Sequence, residues 1–337
     1  MSRVDDPIRW GILGTASIAR SAFLPGLRAA GGGIAEAVAS RDVARGQAFA
    51  TEEGVGRAVE GYGRLVGDPA IDAIYIPLPN RLHVEWTIAA LQAGKPVLCE
   101  KPLCMTPEET EHVLDVARTS PGPLWEAFVF PFHPEIVEVR RLIAEGVIGE
   151  LREIHSSFHF LREDPENIRN FATLTGGSIQ DVGCYPIRLA RLIFEDEPDL
   201  HRTLGDAVWA ADEADEEVWG ALAFPDDRRL LFSSGFRSAY QTFTRILGTE
   251  GEIQMTNPFH PRSHDTRSVI REEDARTQPA IDADQPTFTP AIRHIHDVLR
   301  GLEEPRHLAV DDAMGNAAAI ASVLAVARRE GVEPPTF

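Results

Sequence analysis

Three side chains in this sequence are of types that can move protons at a carbon–oxygen centre: Lys101, Asp181 and Tyr185. Lys101 follows the apolar run Pro96-Val97-Leu98-Cys99, and an earlier run, Ala73-Ile74-Tyr75-Ile76, also stops at a proline. Buried strands of a parallel sheet read this way at their carboxyl ends. Ligands of open α/β sheets bind at those ends, so Lys101 stands where a site would be. Asp181 and Tyr185 lie in Gly176-Gly177-Ser178-Ile179-Gln180-Asp181-Val182-Gly183-Cys184-Tyr185. Ser178 can cap a helix reaching about Phe194, which puts the carboxylate and the phenol at i and i+4 on one face. The same spacing also fits a core tyrosine with Asp181 capping the first turn.

Lys101 and Tyr185 make chemical sense together. A phenol of pKa about 10 is a poor base near neutrality, and lowering it by two units takes about 2.7 kcal/mol of preferential phenolate stabilisation. An ammonium within hydrogen-bonding reach in a partly dry cleft supplies that. Lys101 would hold a substrate oxygen while Tyr185 exchanges its proton as hydride moves to or from a nicotinamide.

A nucleotide site is suggested by Gly14-Thr15-Ala16-Ser17-Ile18-Ala19, a dinucleotide fingerprint with two of its three glycines replaced by alanine. Its logic is a tight turn, close backbone approach to a pyrophosphate and a helix N-terminus facing the negative charge. Small residues between strand and helix also occur for packing. Past the second strand, Ser40, Arg41 and Arg45 offer hydrogen bonds and positive charge to a 2′-phosphate, which points to NADP. The alternatives there are a helix cap with solvated arginines, or Asp42 turned to a ribose, which would suit NAD.

The elements that position these residues alternate. Strands are expected at Ile8 to Leu13, Ile34 to Ser40, near Ala58-Val59, Ile71 to Ile76 and Leu124 to Val129. Helices are expected from Gly14 to about Ala30, interrupted by Pro25-Gly26, then Asp42 to Glu53, His83 to Ala93 and, behind the capping box Thr106-Pro107-Glu108-Glu109, to about Arg118. This pattern calls for an N-terminal doubly wound parallel sheet, a Rossmann domain over residues 1–130. Residues 131–337 read as an α+β domain with a largely antiparallel open sheet: a helix from Pro134 to Glu145, a strand from Glu150 to Phe160 and strands at Val218 to Phe224, Leu230 to Phe236, Thr242 to Leu247 and Glu252 to Met255. Late helices at Pro290 to Gly301 and Asp311 to Glu330 are expected to cover that sheet.

The formal charge of −19 repels nucleic acid and anionic membranes, so a small neutral substrate and a locally basic cofactor pocket are expected. The acidic run Asp212-Glu213-Ala214-Asp215-Glu216-Glu217 reads as a solvated loop. Three cysteines without metal spacing suggest no metal and a reducing, cytoplasmic compartment. No apolar run looks long enough to span a membrane. His133 reads as a buried, satisfied histidine before a catalytic one.

Glu100-Lys101-Pro102, Pro79-Asn80 with His83, and Asp181-x-Gly183-x-Tyr185 resemble, in this order, the signatures of the Gfo/Idh/MocA oxidoreductase family, over nearly the whole chain. The resemblance implies that Lys101, Asp181 and Tyr185 are catalytic and contact substrate. It also implies that Gly14, Thr15, Ala16, Ser17, Ile18, Ser40, Arg41, Arg45, Leu78, Pro79, Asn80, His83, Glu100 and Lys101 face the cofactor. Arg9-Trp10-Gly11-Ile12-Leu13-Gly14-Thr15-Ala16, Ala39-Ser40-Arg41-Asp42 and Glu166-Asn167-Ile168-Arg169 look most like the NADP-dependent branch holding D-xylose and dimeric dihydrodiol dehydrogenases. That branch implies a homodimer or homotetramer, a pyranose or cyclic diol substrate and Arg169 lining its pocket. Where the branch often has Tyr-Arg-Phe-His-Pro, this chain has Phe130-Pro131-Phe132-His133-Pro134. The expected activity is NADP-dependent oxidation of an aldose at C1 to the lactone. Keto-sugar reduction and dihydrodiol oxidation are alternatives, as is a non-catalytic nucleotide-sensing regulator.

Overall fold

The computed structural model describes residues 6–164, 176–211, 213–272 and 274–328. It divides into two compact units, the first made of residues 1–104, 108–133 and 285–314, the second of 105–107, 134–284 and 315–337.

The first unit is built on a six-stranded parallel sheet of β1 (Ile8–Leu13), β2 (Gly33–Ser40), β3 (Arg57–Glu60), β4 (Ala73–Ile76), β5 (Val97–Cys99) and β6 (Leu124–Glu126), in the order β3-β2-β1-β4-β5-β6. Parallel pairing needs crossovers, supplied here by α1 (Leu24–Ala30), α2 (Val43–Glu53), α3 (Tyr62–Val66), α4 (His83–Gln92) and α5 (Pro107–Thr119). The strand order reverses between β1 and β4, the crevice where such sheets bind ligands. The β4 strand is buried along its whole length, as its unbroken apolar sequence requires. Pro25-Gly26 does not end the first helix. A π turn over Ala19–Phe23 leads into α1, with Pro25 in its first turn. Gly26 is required by close approach, because a Cβ there would lie 2.6 Å from Phe288 Cβ.

The helix expected at Pro290 to Gly301 was assigned to the antiparallel sheet, yet α8 (Thr289–Leu299) belongs to the first unit. Phe288, Ile292 and Ile295 join the core of Trp10, Phe23 and Tyr75, and Tyr75 stacks on Phe23 at 3.9 Å. The single boundary near residue 130 is therefore replaced by a chain that returns to its first unit.

The second unit carries an eight-stranded sheet of β7 (Leu151–His159), β8 (Asp199–Trp209), β9 (Asp215–Ala223), β10 (Arg229–Gly235), β11 (Gln241–Gly248), β12 (Glu252–Met255), β13 (Thr266–Arg271) and β14 (Asp274–Pro279), in the order β14-β13-β12-β11-β7-β10-β9-β8. Only β7 and β10 pair in parallel. Its helices are α6 (Pro134–Ala144) and α7 (Cys184–Phe194), with α9 (Ala309–Ala327) divided between the units. A buried ion pair, Glu135 to Arg267 at 2.9 Å, ties α6 to β13. Along β7, Ile154, Ser156 and Phe158 are buried, while the alternate residues lie on a more open face that carries Leu231 and Trp219. Contrary to expectation, α9 is by length and composition apolar enough to cross a membrane, a measure that core helices also meet.

His296 of α8 accepts a hydrogen bond from Trp10 Nε1 at 2.9 Å and lies 2.9 Å from the Gly31 carbonyl. The Trp10 bond fixes the neutral tautomer with Nδ1 donating to Gly31. Burial lowers its pKa to about 4. The unfolded histidine takes up a proton near pH 6.5 that the folded one refuses, so stability is complete above pH 6.5 and falls as pH approaches 4, by up to about 3 kcal/mol. Between pH 7 and pH 5 the stability of the parent protein, followed by urea unfolding, should change by about 2 kcal/mol less favourably than that of His296→Gln. Equal pH dependence in both would remove His296 as its source.

Candidate functional site

In the first unit the sequence-chosen residues gather at the carboxyl ends of β1, β2, β4 and β5. Gly14, directly after β1, has φ +92°, and its N–H donates to the Ala39 carbonyl at 2.8 Å. A side chain there would be strained, and a Cβ would lie 3.0 Å from Leu78. Thr15 and Ala16 are half-buried and Ser17 is exposed where the helical backbone begins. The first N–H groups of a helix have no intrahelical acceptor, and with Ile18 they form the open end of the turn.

At the end of β2, Ser40 is buried and its Oγ accepts from the Asp42 N–H at 3.2 Å. Asp42 caps α2, its carboxylate accepting from the Arg45 N–H at 3.2 Å. The carboxylate that could have turned to a ribose is thus engaged by its own helix. Arg41 and Arg45 are exposed, and among the described residues neither is held in an ion pair. In so acidic a chain, two uncommitted guanidinium groups beside this sheet end suit a phosphate.

Lys101 is held by its backbone neighbours. The Tyr75 hydroxyl donates to Glu100 Oε1 at 2.6 Å, and Glu126 Oε1 accepts the Leu103 N–H at 2.8 Å. His83, fully buried, places Nδ1 2.8 Å from the Pro102 carbonyl and Nε2 2.8 Å from the Leu78 carbonyl. Burial lowers its pKa. This alters the expectation for His83: both ring nitrogens face protein carbonyls, so it straps the Leu78-Pro79-Asn80 loop to the Glu100-Lys101-Pro102 turn instead of presenting a polar atom to a cofactor. Lys101 itself is half-buried. Cys99 and Cys104 are buried, and burial raises both thiols, so neither is a nucleophile near neutrality. His133 is buried, as the sequence suggested.

In the second unit Asp181 and Tyr185 lie on the helix expected from the sequence, but its first turn, Ile179–Gly183, is π and only α7 beyond it is α-helical. Single π turns interrupt α-helices mostly at functional sites. Both residues are 8 % exposed. The Tyr185 ring packs against Phe158 at 5.4 Å, Phe259 at 5.2 Å and His260 at 5.7 Å. Arg169 lies outside the described residues.

Ser178 does not cap the helix, contrary to expectation. The cap is Asp215, whose Oδ2 accepts from the Ile179 N–H and from Ser178 Oγ, each at 2.7 Å. Gly177, with φ +91°, is required beside it, since a Cβ would lie 2.1 Å from Asp215 Oδ1. Asp215 belongs to the acidic run read as a solvated loop, yet it is 1 % exposed. Its charge satisfies a helix N-terminus. The signal that could have found it is the isolated Ala214 before it, which breaks the acidic run where β9 starts.

A left-handed glycine after the first strand, a helix N-terminus beside it and two free arginines at the neighbouring strand end fit a dinucleotide. They define a nucleotide-binding oxidoreductase with a Rossmann first unit. The chain belongs to the Gfo/Idh/MocA family: residues 8–128 match the oxidoreductase family with NAD-binding Rossmann fold, and residues 136–254 match the GFO/IDH/MocA C-terminal domain. It is 38 % identical over 267 residues, 79 % of each chain, to an uncharacterised oxidoreductase of Rhizobium meliloti. It is 35 % identical over 252 residues, 74 % of this chain and 76 % of the relative, to D-xylose 1-dehydrogenase (NADP(+)) 2 of Haloferax volcanii. Among solved structures, a 3-ketoreductase from Actinomadura kijaniata in complex with NADP and TDP-benzene superposes with a TM-score of 0.85 at 32 % identity, covering 95 % of this chain and 97 % of that one.

Burial raises the Asp215 pKa to about 6 despite its two donors. Its contribution to stability is therefore largest below about pH 4 and declines as pH rises through 6. Asp215→Ala leaves a buried N–H and a hydroxyl without an acceptor and should cost about 2 kcal/mol in urea unfolding at pH 7. Asp215→Asn, which keeps an acceptor, should cost less. Equal stability of Asp215→Ala and the parent would show that the cap is dispensable.

Proposed function

We propose that this chain is an NADP-dependent oxidoreductase that transfers hydride between the nicotinamide and a carbon of a sugar-like ring, with oxidation of an aldose at C1 as the favoured reaction. The observation that carries this reading is the Glu100-Lys101-Pro102 turn, pinned by Tyr75, His83 and Glu126 at the carboxyl end of β5. Two buried bonds, at Glu100 and Pro102, and a part-buried one at Leu103 fix the backbone on both sides of Lys101, an arrangement that binding a nucleotide alone does not need. The xylose dehydrogenase relative supports the aldose reading. Reduction of a keto-sugar is the second reading, favoured by the near full-length similarity to the Actinomadura 3-ketoreductase.

Bound NADP supplies the hydride acceptor for oxidation, and NADPH the donor for reduction. Gly14, Thr15, Ala16, Ser17 and Ile18 receive the pyrophosphate at the helix N-terminus, and Ser40, Arg41 and Arg45 receive the 2′-phosphate. Leu78, Pro79, Asn80 and Glu100 wall the nicotinamide end. Tyr185 takes the hydroxyl proton in oxidation and returns it in reduction. Lys101 holds the substrate oxygen, and Asp181 orients the substrate.

Lys101→Met should leave NADPH binding, followed by fluorescence, within about threefold while lowering kcat with the best aldose by at least about 1000-fold. Turnover within tenfold of the parent would rule out the role given to Lys101. Arg41→Ala should weaken NADPH by about 10- to 100-fold and NADH by less than about threefold. Equal weakening of both would mean that the 2′-phosphate is not read there.

A further inference from the structure

The aromatic cluster around Tyr185 has one polar member whose backbone is fixed to an unusual degree. His260 lies between Pro258 and Pro261, in the loop that joins β12 to β13. Prolines fix their own φ and restrict the residue before each of them, so His260, which precedes Pro261, has little backbone freedom of its own. Asn257 removes much of what remains: its Oδ1 accepts from the His260 N–H at 3.2 Å, and its Nδ2 donates to the His260 carbonyl at 2.5 Å.

Asn257 is itself braced. Thr242 Oγ1 donates to its Oδ1 at 2.6 Å, and its Nδ2 also donates to Asp265 Oδ2 at 3.1 Å. Asp265 further accepts from the Arg262 N–H at 2.8 Å and from Thr256 Oγ1 at 3.0 Å. Asn257, Asp265 and Thr242 are 5 %, 8 % and 3 % exposed. Burying polar side chains is costly unless they are hydrogen-bonded; here all three are, and such a network fixes the loop in one geometry. What the loop presents is the imidazole of His260, half-buried, with ring centroids 5.7 Å from Tyr185 and 5.9 Å from Phe158. Phe158 and Phe259 are buried against it, so the cluster joins an apolar floor to the Tyr185 phenol and the His260 imidazole, with the exposed Tyr240 ring 6.1 Å from Phe158.

We propose that His260 is a specificity-determining residue of the Tyr185 site, hydrogen-bonding a ring hydroxyl on the carbon next to the reacting one, and that Asn257 and Asp265 are positioning residues that hold it there. The proposal rests on the hydride-transfer reading given above and narrows its substrates to rings with a hydroxyl vicinal to the reacting carbon. An imidazole donates to or accepts from a hydroxyl, and a site built around such a contact rejects the analogue that lacks it. The floor of aromatic rings meets the C–H face of the ring, which orients it without selecting among sugars.

The test compares two matched pairs, D-glucose with 2-deoxy-D-glucose and D-xylose with 2-deoxy-D-xylose, in the parent protein and in His260→Ala, His260→Gln and Asn257→Ala. NADP reduction gives kcat and KM for each sugar, and titration calorimetry of the NADPH-loaded protein gives binding. His260→Ala should lower kcat/KM, or binding where turnover is absent, by about 10- to 100-fold for the hydroxylated sugars and by less than about threefold for the deoxy sugars. His260→Gln, which retains a donor and an acceptor, should recover part of the loss. Asn257→Ala should reproduce it in weaker form, with the Kd for NADPH unchanged. Equal loss on both members of a pair, no loss on either, or binding of none of the four sugars by the parent protein overturns the proposal. Tyr185→Phe separates this from the reaction itself: it should remove turnover and keep discrimination between hydroxylated and deoxy sugars in binding. Retained turnover in that variant would sink the proposed chemistry while leaving the role of His260 standing.

Discussion

The hydrogen bond from the Tyr75 hydroxyl to Glu100 is the constraint on which the first unit turns. Tyr75 is enclosed: it is buried, sits in the middle of the parallel sheet and stacks on Phe23, while Phe288 packs against it at a steep angle. Its hydroxyl is the polar end of an otherwise apolar body, and a buried hydroxyl needs a partner. Glu100 meets that need and is thereby fixed one residue ahead of Lys101. A core packing requirement is converted into the placement of a charge at the sheet edge. His83 and Glu126 repeat the device from either side, so the rigidity of the turn comes from the interior beneath it.

The second unit solves the same problem with a different interaction. Here the residues to be placed lie on a helix that opens with a π turn, and the end of the helix is what must be fixed. A carboxylate from a separate strand meets the first free N–H. Buried charge is expensive unless it is satisfied, and the Asp215 carboxylate is met by the helix it holds. Gly177 and Gly183 are the conditions for this arrangement, because a Cβ at Gly177 would strike Asp215 and one at Gly183 would lie 2.7 Å from Ser234 Oγ on β10.

Much of the first unit was legible because its signals are local. Apolar runs ending at Pro77 and Pro102, a small-residue turn after Ile8–Leu13 and alternating helices follow from sheet burial, and they placed Gly14, Ser40 and Lys101 at one edge. What escaped was what depends on distant partners. Charge patterning reads Asp215 as solvated, since Ala214 beside it marks only the start of β9 and the Ile179 N–H that accounts for its burial lies 36 residues away. His260 carries no local sign of Tyr185. The strands β8 and β14 were missed because edge strands expose most of their residues and lose the alternation that marks a covered face. A π turn and an α turn share the same composition, so the register between Asp181 and Tyr185 was beyond reach from spacing alone.

The return of residues 285–314 to the first unit has a temporal side. A ribosome delivers the whole β1-to-β6 sheet long before it delivers Phe288, Ile292 and Ile295, and domains fold as their chains emerge. Until then the ring faces of Phe23 and Tyr75 and the indole of Trp10 have no permanent cover, and the nascent nucleotide-binding half must wait, partly open, for a closing segment encoded near the far end of the gene.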